Sequence, residues 1–364
     1  GMLSFGHAVY SGLGAYFAAH AVRLAGIGTI SIPISLVPIL GGLAGMLFGI
    51  LFGYVTTKKS GTAFAMITLG ISELVAACAL MMPEFFGGEG GVSFNRMVGR
   101  PLYGISFGPQ IQVYYLIAVW LFICTLAIYA FSLTPLGRMI NAVRDNPERA
   151  EFIGYDPQRV RYLTFVLSSF FAGIAGALGA INFEIVSAEN VSTGRSGAIL
   201  LFTFIGGVDH FFGPLIGAAF GVFFTEVLSN YTPAWQLYLG IFFILMVLYA
   251  PGGVSGLLVE AVQPKVIRRA ILHWPLVLAI CASALLVVLG VVSAIEMLFQ
   301  HSLGSDSALN LFGIYISLRM SYLVAGLLVF VSGFGLRWAW VTFWDRADKP
   351  ETEIATISIR GTGT

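Results

Sequence analysis

Nine stretches of this chain are long, predominantly apolar runs: 3–25, 34–55, 61–82, 113–133, 162–182, 211–229, 234–250, 271–296 and 311–336. A helix needs about 20 apolar residues to cross the hydrocarbon core of a bilayer. Inside that core every backbone polar group must find its partner within the protein, which leaves helices and closed barrels as spanning structures. Runs of this length select helices, so the sequence predicts an all-α, polytopic transmembrane helical bundle. A tenth apolar stretch, 197–208, is too short for an ordinary span and reads as a broken or re-entrant helix. Irregular backbone at that depth is tolerated where protein or a cavity satisfies it.

Charge supports the same class. Only 10% of residues are charged, against about 25% in an ordinary soluble domain, too few to solvate a globular surface. The net charge of +1 leaves no basic footprint for nucleic acid. Orientation follows from where Lys and Arg fall. Lys58, Lys59, Arg138, Arg144, Arg149, Arg159, Arg161, Lys265, Arg268 and Arg269, with the basic residues of the tail, lie on one set of connections. The opposite set holds Arg23, Arg96, Arg100 and Arg195. The positive-inside rule places the richer set in the cytoplasm. Counting 197–208 as a crossing gives about ten membrane segments with both ends cytoplasmic. The first run lacks a basic n-region and a cleavage site, so it reads as a span, not a signal peptide. Cys78, Cys124 and Cys281 have neither metal-ligand spacing nor a disulfide pattern. No metal or cofactor is expected.

Glycines recur at helical spacing. Gly41, Gly45, Gly49 and Gly53 fall on one face of a helix, Gly213, Gly217 and Gly221 on another, and Gly173, Gly176 and Gly179 form a third ridge. Small residues let membrane helices approach closely, and these ridges are read as packing surfaces, with a sliding surface as the alternative. Gly206, Gly207 and Gly213-Pro214 break the chain between two apolar runs, where irregular backbone can line a pathway. Ionisable residues within spans carry a functional expectation. His7, beside Ser4 and Tyr10, and Glu73, which follows Thr68, are candidates for a pathway or gate, with interhelical hydrogen bonding as the plain alternative. Glu184 and Glu189 fall on the outer side, where solvation competes with docking of a partner. The outer loop 83–110 carries a Gly-rich run at 87–91, read as a gate or as a turn-rich connection.

The polar segment 134–161 is distinct from all of this. Arg138, Arg144, Arg149, Arg159 and Arg161 stand against Asp145, Glu148, Glu151 and Asp156. Within it the sequence predicts a short helix over 147–153. Asn146 is placed to cap it, Pro147 fits its first position, Glu148 complements its dipole and Gly154 ends it.

The run Gly137-Arg138, then Ala142-Val143-Arg144-Asp145-Asn146, then Ala150 and Gly154-Tyr155, resembles the cytoplasmic loop of the branched-chain amino acid permease family. Further motifs follow in the family's order: Leu3-Ser4-Phe5-Gly6-His7-Ala8 with Gly12 and Gly14, the stretch 64–69, Ala172-Gly173, Phe204-Ile205-Gly206-Gly207, Gly213-Pro214 and Tyr249-Ala250-Pro251-Gly252-Gly253. Over about residues 1–260 the chain is similar to the LivM-like branch. Glu148-Arg149-Ala150 with Gly154 also resembles the short coupling signature of importer permeases.

The resemblance implies an inner-membrane permease subunit of an ATP-driven ABC importer. It would pair with a second, related permease, two cytoplasmic ABC ATPases and a periplasmic substrate-binding protein, all within the lipid bilayer. The ATPase-coupling residues carried over are Gly137, Arg138, Arg144, Asp145, Asn146, Glu148, Ala150 and Gly154. No Gly-x-x-x-x-Gly-Lys-Ser/Thr occurs, so ATP hydrolysis falls to the partners and the chain is not itself read as an enzyme. Branched-chain amino acids are the implied solute; urea, short amides and small organic acids are the alternatives. In the family the opening motif follows earlier spans, so the N-terminus reads as truncated. The permease domain is expected over 1–264, an extra pair of helices over 265–340 and a polar cytoplasmic tail over 341–364. Two rival classes fit the sequence less well. A membrane-embedded enzyme lacks a clustered catalytic set, and an ion-coupled carrier lacks the intramembrane acids such relays use.

Overall fold

The computed structural model describes residues 2–28, 32–98 and 106–263, together with Ser283, Gly290, Val291, Ile295 and two short strands near 310. The chain divides into two compact units, 1–202 and 203–364.

The first unit contains α1 (Ala8–Gly26), α2 (Val37–Thr56), α3 (Thr62–Met81), the single turn α4 (Pro83–Phe86), α5 (Gln110–Ser132), α6 (Pro135–Asp145), α7 (Pro147–Phe152), α8 (Pro157–Phe183) and the start of α9 (Thr193–Gly206). Segments Ile34–Thr56, Thr62–Met81, Gln110–Ser132 and Pro157–Phe183 are long and apolar enough to cross a membrane, with mean hydropathy from 1.8 to 2.2. They coincide with four of the runs read from the sequence. The run 3–25 forms α1, which carries His20 and Arg23 and is not among the qualifying helices. Its burial supplies the physical reason. More than half of α1 is packed inside protein, between α2 and α8, and a helix that meets protein has no need to be apolar all round. In α5, by contrast, only Val113 and Leu116 are buried, and most of the other residues are exposed.

The seam between α2 and α8 is made of glycine. A Cβ on Gly41 would stand 2.5 Å from Ala177 Cβ, and one on Gly45 2.4 Å from the Ser169 carbonyl oxygen. On α8, a Cβ on Gly173 would come within 2.2 Å of the Gly41 oxygen, and one on Gly176 within 1.7 Å of the Ser11 oxygen in α1. Backbone therefore lies on backbone, where dispersion contacts and the absence of side-chain ordering hold helices together in lipid. The packing reading of the first ridge fits this geometry, and Gly53 extends it toward Phe165. The third ridge is only partly a seam, because Gly179 has nothing within 4 Å of its missing Cβ.

At the C-terminal end of α8, β1 (Val92–Ser93) pairs antiparallel with β2 (Ile185–Val186). Arg96 lies beside this pair and is buried. Its Nε donates to the Phe107 carbonyl at 2.8 Å. Nη1 donates to the carbonyls of Ile181 and Asn182, both at 3.3 Å. Nη2 donates to the Gly108 carbonyl at 3.1 Å and to Gln110 Oε1 at 3.0 Å. Glu184 supplies the counter-charge at 3.6 Å and also accepts from the Arg96 backbone N–H. The outer-side acid read as solvated or partner-facing is thus half of an internal clasp. The Gly-rich loop is a set of tight turns: Gly87, Gly88 and Gly91 all have positive φ, and a Cβ on Gly91 would meet the Val186 oxygen at 2.4 Å.

The second unit holds the end of α9, then α10 (Gly213–Val222), α11 (Trp235–Tyr249) and α12 (Gly253–Val262). All but the last two residues of the stretch 197–208 lie within one continuous helix that stops at Gly206. The run 211–229 is not a single α-helix. After α10 it passes into a π-helical turn at Phe223–Val227 and a 3-10 turn at Leu228–Asn230. Apolar composition does not encode hydrogen-bond register, so the run conceals this change. Helices α11 and α12 meet at a 54° bend and together qualify as one broken span. Gly213 and Gly217 are buried: a Cβ on Gly206 would lie 1.9 Å from the Gly213 oxygen, and one on Gly207 2.3 Å from the Gly252 oxygen. Gly221 is buried on the same face of α10. Further along the chain, β3 (Leu309–Leu311) pairs antiparallel with β4 (Ile314–Ile316), so Leu311 and Ile314–Ile316 of the run 311–336 are extended, not helical. Runs 271–296 and 311–336 otherwise lie outside the described residues, as do most of 265–340 and the whole tail 341–364.

Candidate functional site

Three features of the first unit carry the chemistry that the sequence singles out. The first is the polar loop. Thr134 Oγ1 accepts from the Gly137 N–H at 3.2 Å and starts α6. Asn146 Oδ1 accepts from the Arg149 N–H at 3.0 Å and starts α7. Asp156 Oδ1 accepts from the Gln158 and Arg159 N–H groups and starts α8. Each cap precedes a proline at the first helical position, so three helices begin by one local rule. The helix expected over 147–153 is α7, and Gly154 follows it with φ of +91°. The preceding helix α6, by contrast, was not anticipated as a separate element.

A small core of Val143, Ala150 and Val160, backed by Leu136, Met139 and Ile140, holds the loop together. The expected coupling residues then separate into two groups. Gly137 and Ala150 are buried; a Cβ on Gly137 would stand 2.4 Å from the Phe131 oxygen. Arg138, Arg144, Asp145, Asn146, Glu148 and Gly154 are exposed. Sequence reasoning missed the apolar tip, where Phe152 is 91% exposed and Ile153 63%. A signal was present for Phe152: it stands two residues from Ala150, the one buried position of α7, and so falls on the opposite side of that helix.

The second feature gathers Ser4, His7, Tyr10 and Thr68. The Phe5 N–H donates to Thr68 Oγ1 at 3.2 Å, and a Cβ on Gly6 would lie 2.2 Å from the Thr68 carbonyl oxygen. His7 Nε2 and Ser168 Oγ are 3.0 Å apart. The Tyr10 ring meets Phe165 edge-on at 5.2 Å, and Phe64 meets the same ring at 5.8 Å. Ser4 Oγ is buried without a hydrogen-bond partner among the described residues. Glu73 stands further along α3 and accepts from the Thr193 hydroxyl. Gly206 and Gly207 belong to the second unit.

The third feature was not read from the sequence. Between α8 and α9 the segment 184–196 runs inward among the helices. Ser72, midway along α3, donates through Oγ to the Val191 carbonyl at 3.4 Å. Ser196 Oγ accepts from the Ala8 N–H at 3.0 Å, which caps α1 from a distant part of the chain. A Cβ on Gly12 would meet Val191 Cγ1 at 2.3 Å and the Asn190 oxygen at 2.7 Å. Beside this segment lies a cavity of about 410 Å³, bounded by Ser11, Gly12, Gly176, Gly179, Asn190 and Arg195 among others.

All three features fall within one region of similarity. Residues 1–250 match the family model described as branched-chain amino acid transport system / permease component. The chain belongs to this family. Its curated relatives include the high-affinity branched-chain amino acid transport system permease proteins LivM of Salmonella typhimurium and Escherichia coli. Each is 27% identical over 275 residues, covering 70% of this chain and 63% of the relative. A probable branched-chain amino acid transport permease protein LivH of Methanocaldococcus jannaschii is 26% identical over 271 residues, covering 70% of this chain and 82% of the relative. The chain thus spans less than two thirds of the length of the LivM relatives. No solved structure matches it. The permease-family match takes in the loop, the Ser4–His7–Tyr10–Thr68 group and the cavity, and stops before α12.

Proposed function

We propose that this chain is the membrane-spanning permease subunit of an ATP-driven ABC importer, forming the path of a small polar solute, with branched-chain amino acids as that solute. The observation that carries the reading is the family match over 1–250, which includes a capped loop with an exposed apolar tip. An amphipathic knob of this kind suits a groove on a soluble partner: Phe152 and Ile153 would anchor, and the surrounding arginines and acids would set orientation. The partner is a cytoplasmic ATPase pair, and α7 receives its closing motion. A second, related permease completes the pathway, and a periplasmic binding protein delivers the solute to the outer face. The membrane is the bacterial inner membrane, with the loop and the C-terminus on the cytoplasmic side.

Copurification tests the reading. The tagged chain is expected to bring down an ATPase, and Phe152→Asp, or deletion of 146–154, is expected to release it while the permease stays in the membrane. Uptake that persists after ATPase inactivation but collapses with the ion gradient would sink the proposal. A ligand screen on the cognate binding protein tests the solute: leucine binding supports it, and urea binding without leucine binding overturns it.

A further inference from the structure

We infer that the cavity beside the segment 184–196 is a carboxylate-binding station on the transport path, with Arg195 as the counter-charge and an aliphatic wall for the rest of the solute. The inference rests on the importer reading above and adds to it a place and a chemical class.

The volume, about 410 Å³, lies in the range of small-molecule sites. Its lining is divided by chemistry. Phe183, Ile185 and Ile199 form an apolar wall, and Ser11, Asn190 and Arg195 supply the polar groups. Arg195 is the one cationic side chain of that lining, no acid lines it, and Arg195 forms no ion pair among the described residues. The nearby acids are otherwise placed: Glu73 accepts from Thr193, Glu184 faces Arg96, and Glu189 is exposed outside the lining. Ser187 Oγ donates to Asn190 Oδ1 at 3.3 Å, which leaves the Asn190 amide N–H groups as donors. Arg195 also sits in the first turn of the 14-residue helix α9, whose N-terminal end adds partial positive charge. Arg195 stands exposed at this cavity, where its guanidinium can grip an anion with two parallel N–H bonds, and a carboxylate has that shape.

The floor is glycine, and here Gly179 differs from its neighbours. Gly176 abuts α1, but Gly179 faces open space, so a side chain there would enter the cavity without striking protein. With no acid in the lining, the site distinguishes solutes by their carboxylate and aliphatic chain. It is indifferent to the ammonium. Leucine and its deaminated analogue 4-methylpentanoate fit equally; leucinamide, which keeps the ammonium and loses the carboxylate, does not.

The test uses the complete transporter in liposomes with ATP inside the compartment that the ATPases face, and labelled leucine as the probe. Arg195→Gln is expected to cut leucine uptake about tenfold or more, the effect of losing a charge-assisted hydrogen bond, with Arg195→Lys recovering part of it. Gly179→Leu is expected to block uptake similarly while the complex still elutes as one assembled species. Excess 4-methylpentanoate is expected to compete with leucine, and excess leucinamide is not. Wild-type uptake of leucine that survives both Arg195→Gln and Gly179→Leu overturns the station and leaves the importer reading standing. Competition by leucinamide equal to that by 4-methylpentanoate overturns the carboxylate assignment. A wild-type complex that imports urea and not leucine overturns the solute reading and this inference together.

Discussion

Arginine is used in two opposite ways at the two ends of α8. At the C-terminal end Arg96 is buried, and its side chain is spent on five protein acceptors and one carboxylate. At the other end Arg138, Arg144 and Arg149 on α6 and α7, and Arg159 within α8, are exposed. Their ion pairs are local: Arg144 with Asp145 at 3.0 Å, and Arg159 with Asp156 at 3.2 Å. A buried cation with every donor satisfied fixes a geometry, because each broken bond would leave a desolvated group. An exposed cation paired with its neighbour gains little from that pair and remains available to a partner. The C-terminal end of α8 is therefore held in one geometry, and the loop end leaves its charges on the surface.

The difference is breakable in steps. Arg96→Met removes the clasp's centre and leaves Glu184 and several carbonyls unpaired; a loss of about 3 to 5 kcal/mol is expected, read as a lowered midpoint of thermal unfolding in detergent. Arg96→Lys is expected to recover little of it, since one ammonium cannot reach acceptors spread over a guanidinium fork. Ala150→Glu places a charge in the small core under α7. A local loss of about 2 kcal/mol is expected, seen as faster amide exchange over 136–160 with the midpoint of the bundle unmoved. Asn146→Ala deletes one cap and should cost about 1 kcal/mol, confined to faster exchange in 147–152. Arg159→Gln is expected to change stability by under about 0.5 kcal/mol in the same assay. A destabilisation as large as that of Arg96→Met would end the comparison.

What could be read from sequence follows the range of the interactions. The loop helix was legible because Asn146, Pro147 and Gly154 act within one turn of where they stand. The four long spans were legible because apolar length is a local property. The inward course of 184–196 depends on Ser72 and Ala8, which lie 119 and 188 positions from their partners, and no window along the chain contains both ends of such a bond. The Arg96 clasp was hidden for the same reason: its acceptors come from 107–110 and from 181–184. The glycine ridges fell between. Spacing announced a close approach, but only the packing partner distinguishes Gly176, pressed on α1, from Gly179, which opens on the cavity.

The clasp also has a mechanical side. Helix α8 is 27 residues long, about 40 Å from end to end at 1.5 Å per residue. With its C-terminal end pinned, a sideways push at Pro157 would swing it, and α2 with it through the glycine seam, as a lever about that end. Displacement then grows with distance from the pivot. Gly179 lies within about 6 Å of the pinned end, and Ser168, the partner of His7, about 22 Å from it. The His7–Ser168 contact thus stands well out along the lever, and the cavity beside Gly179 stands close to its pivot.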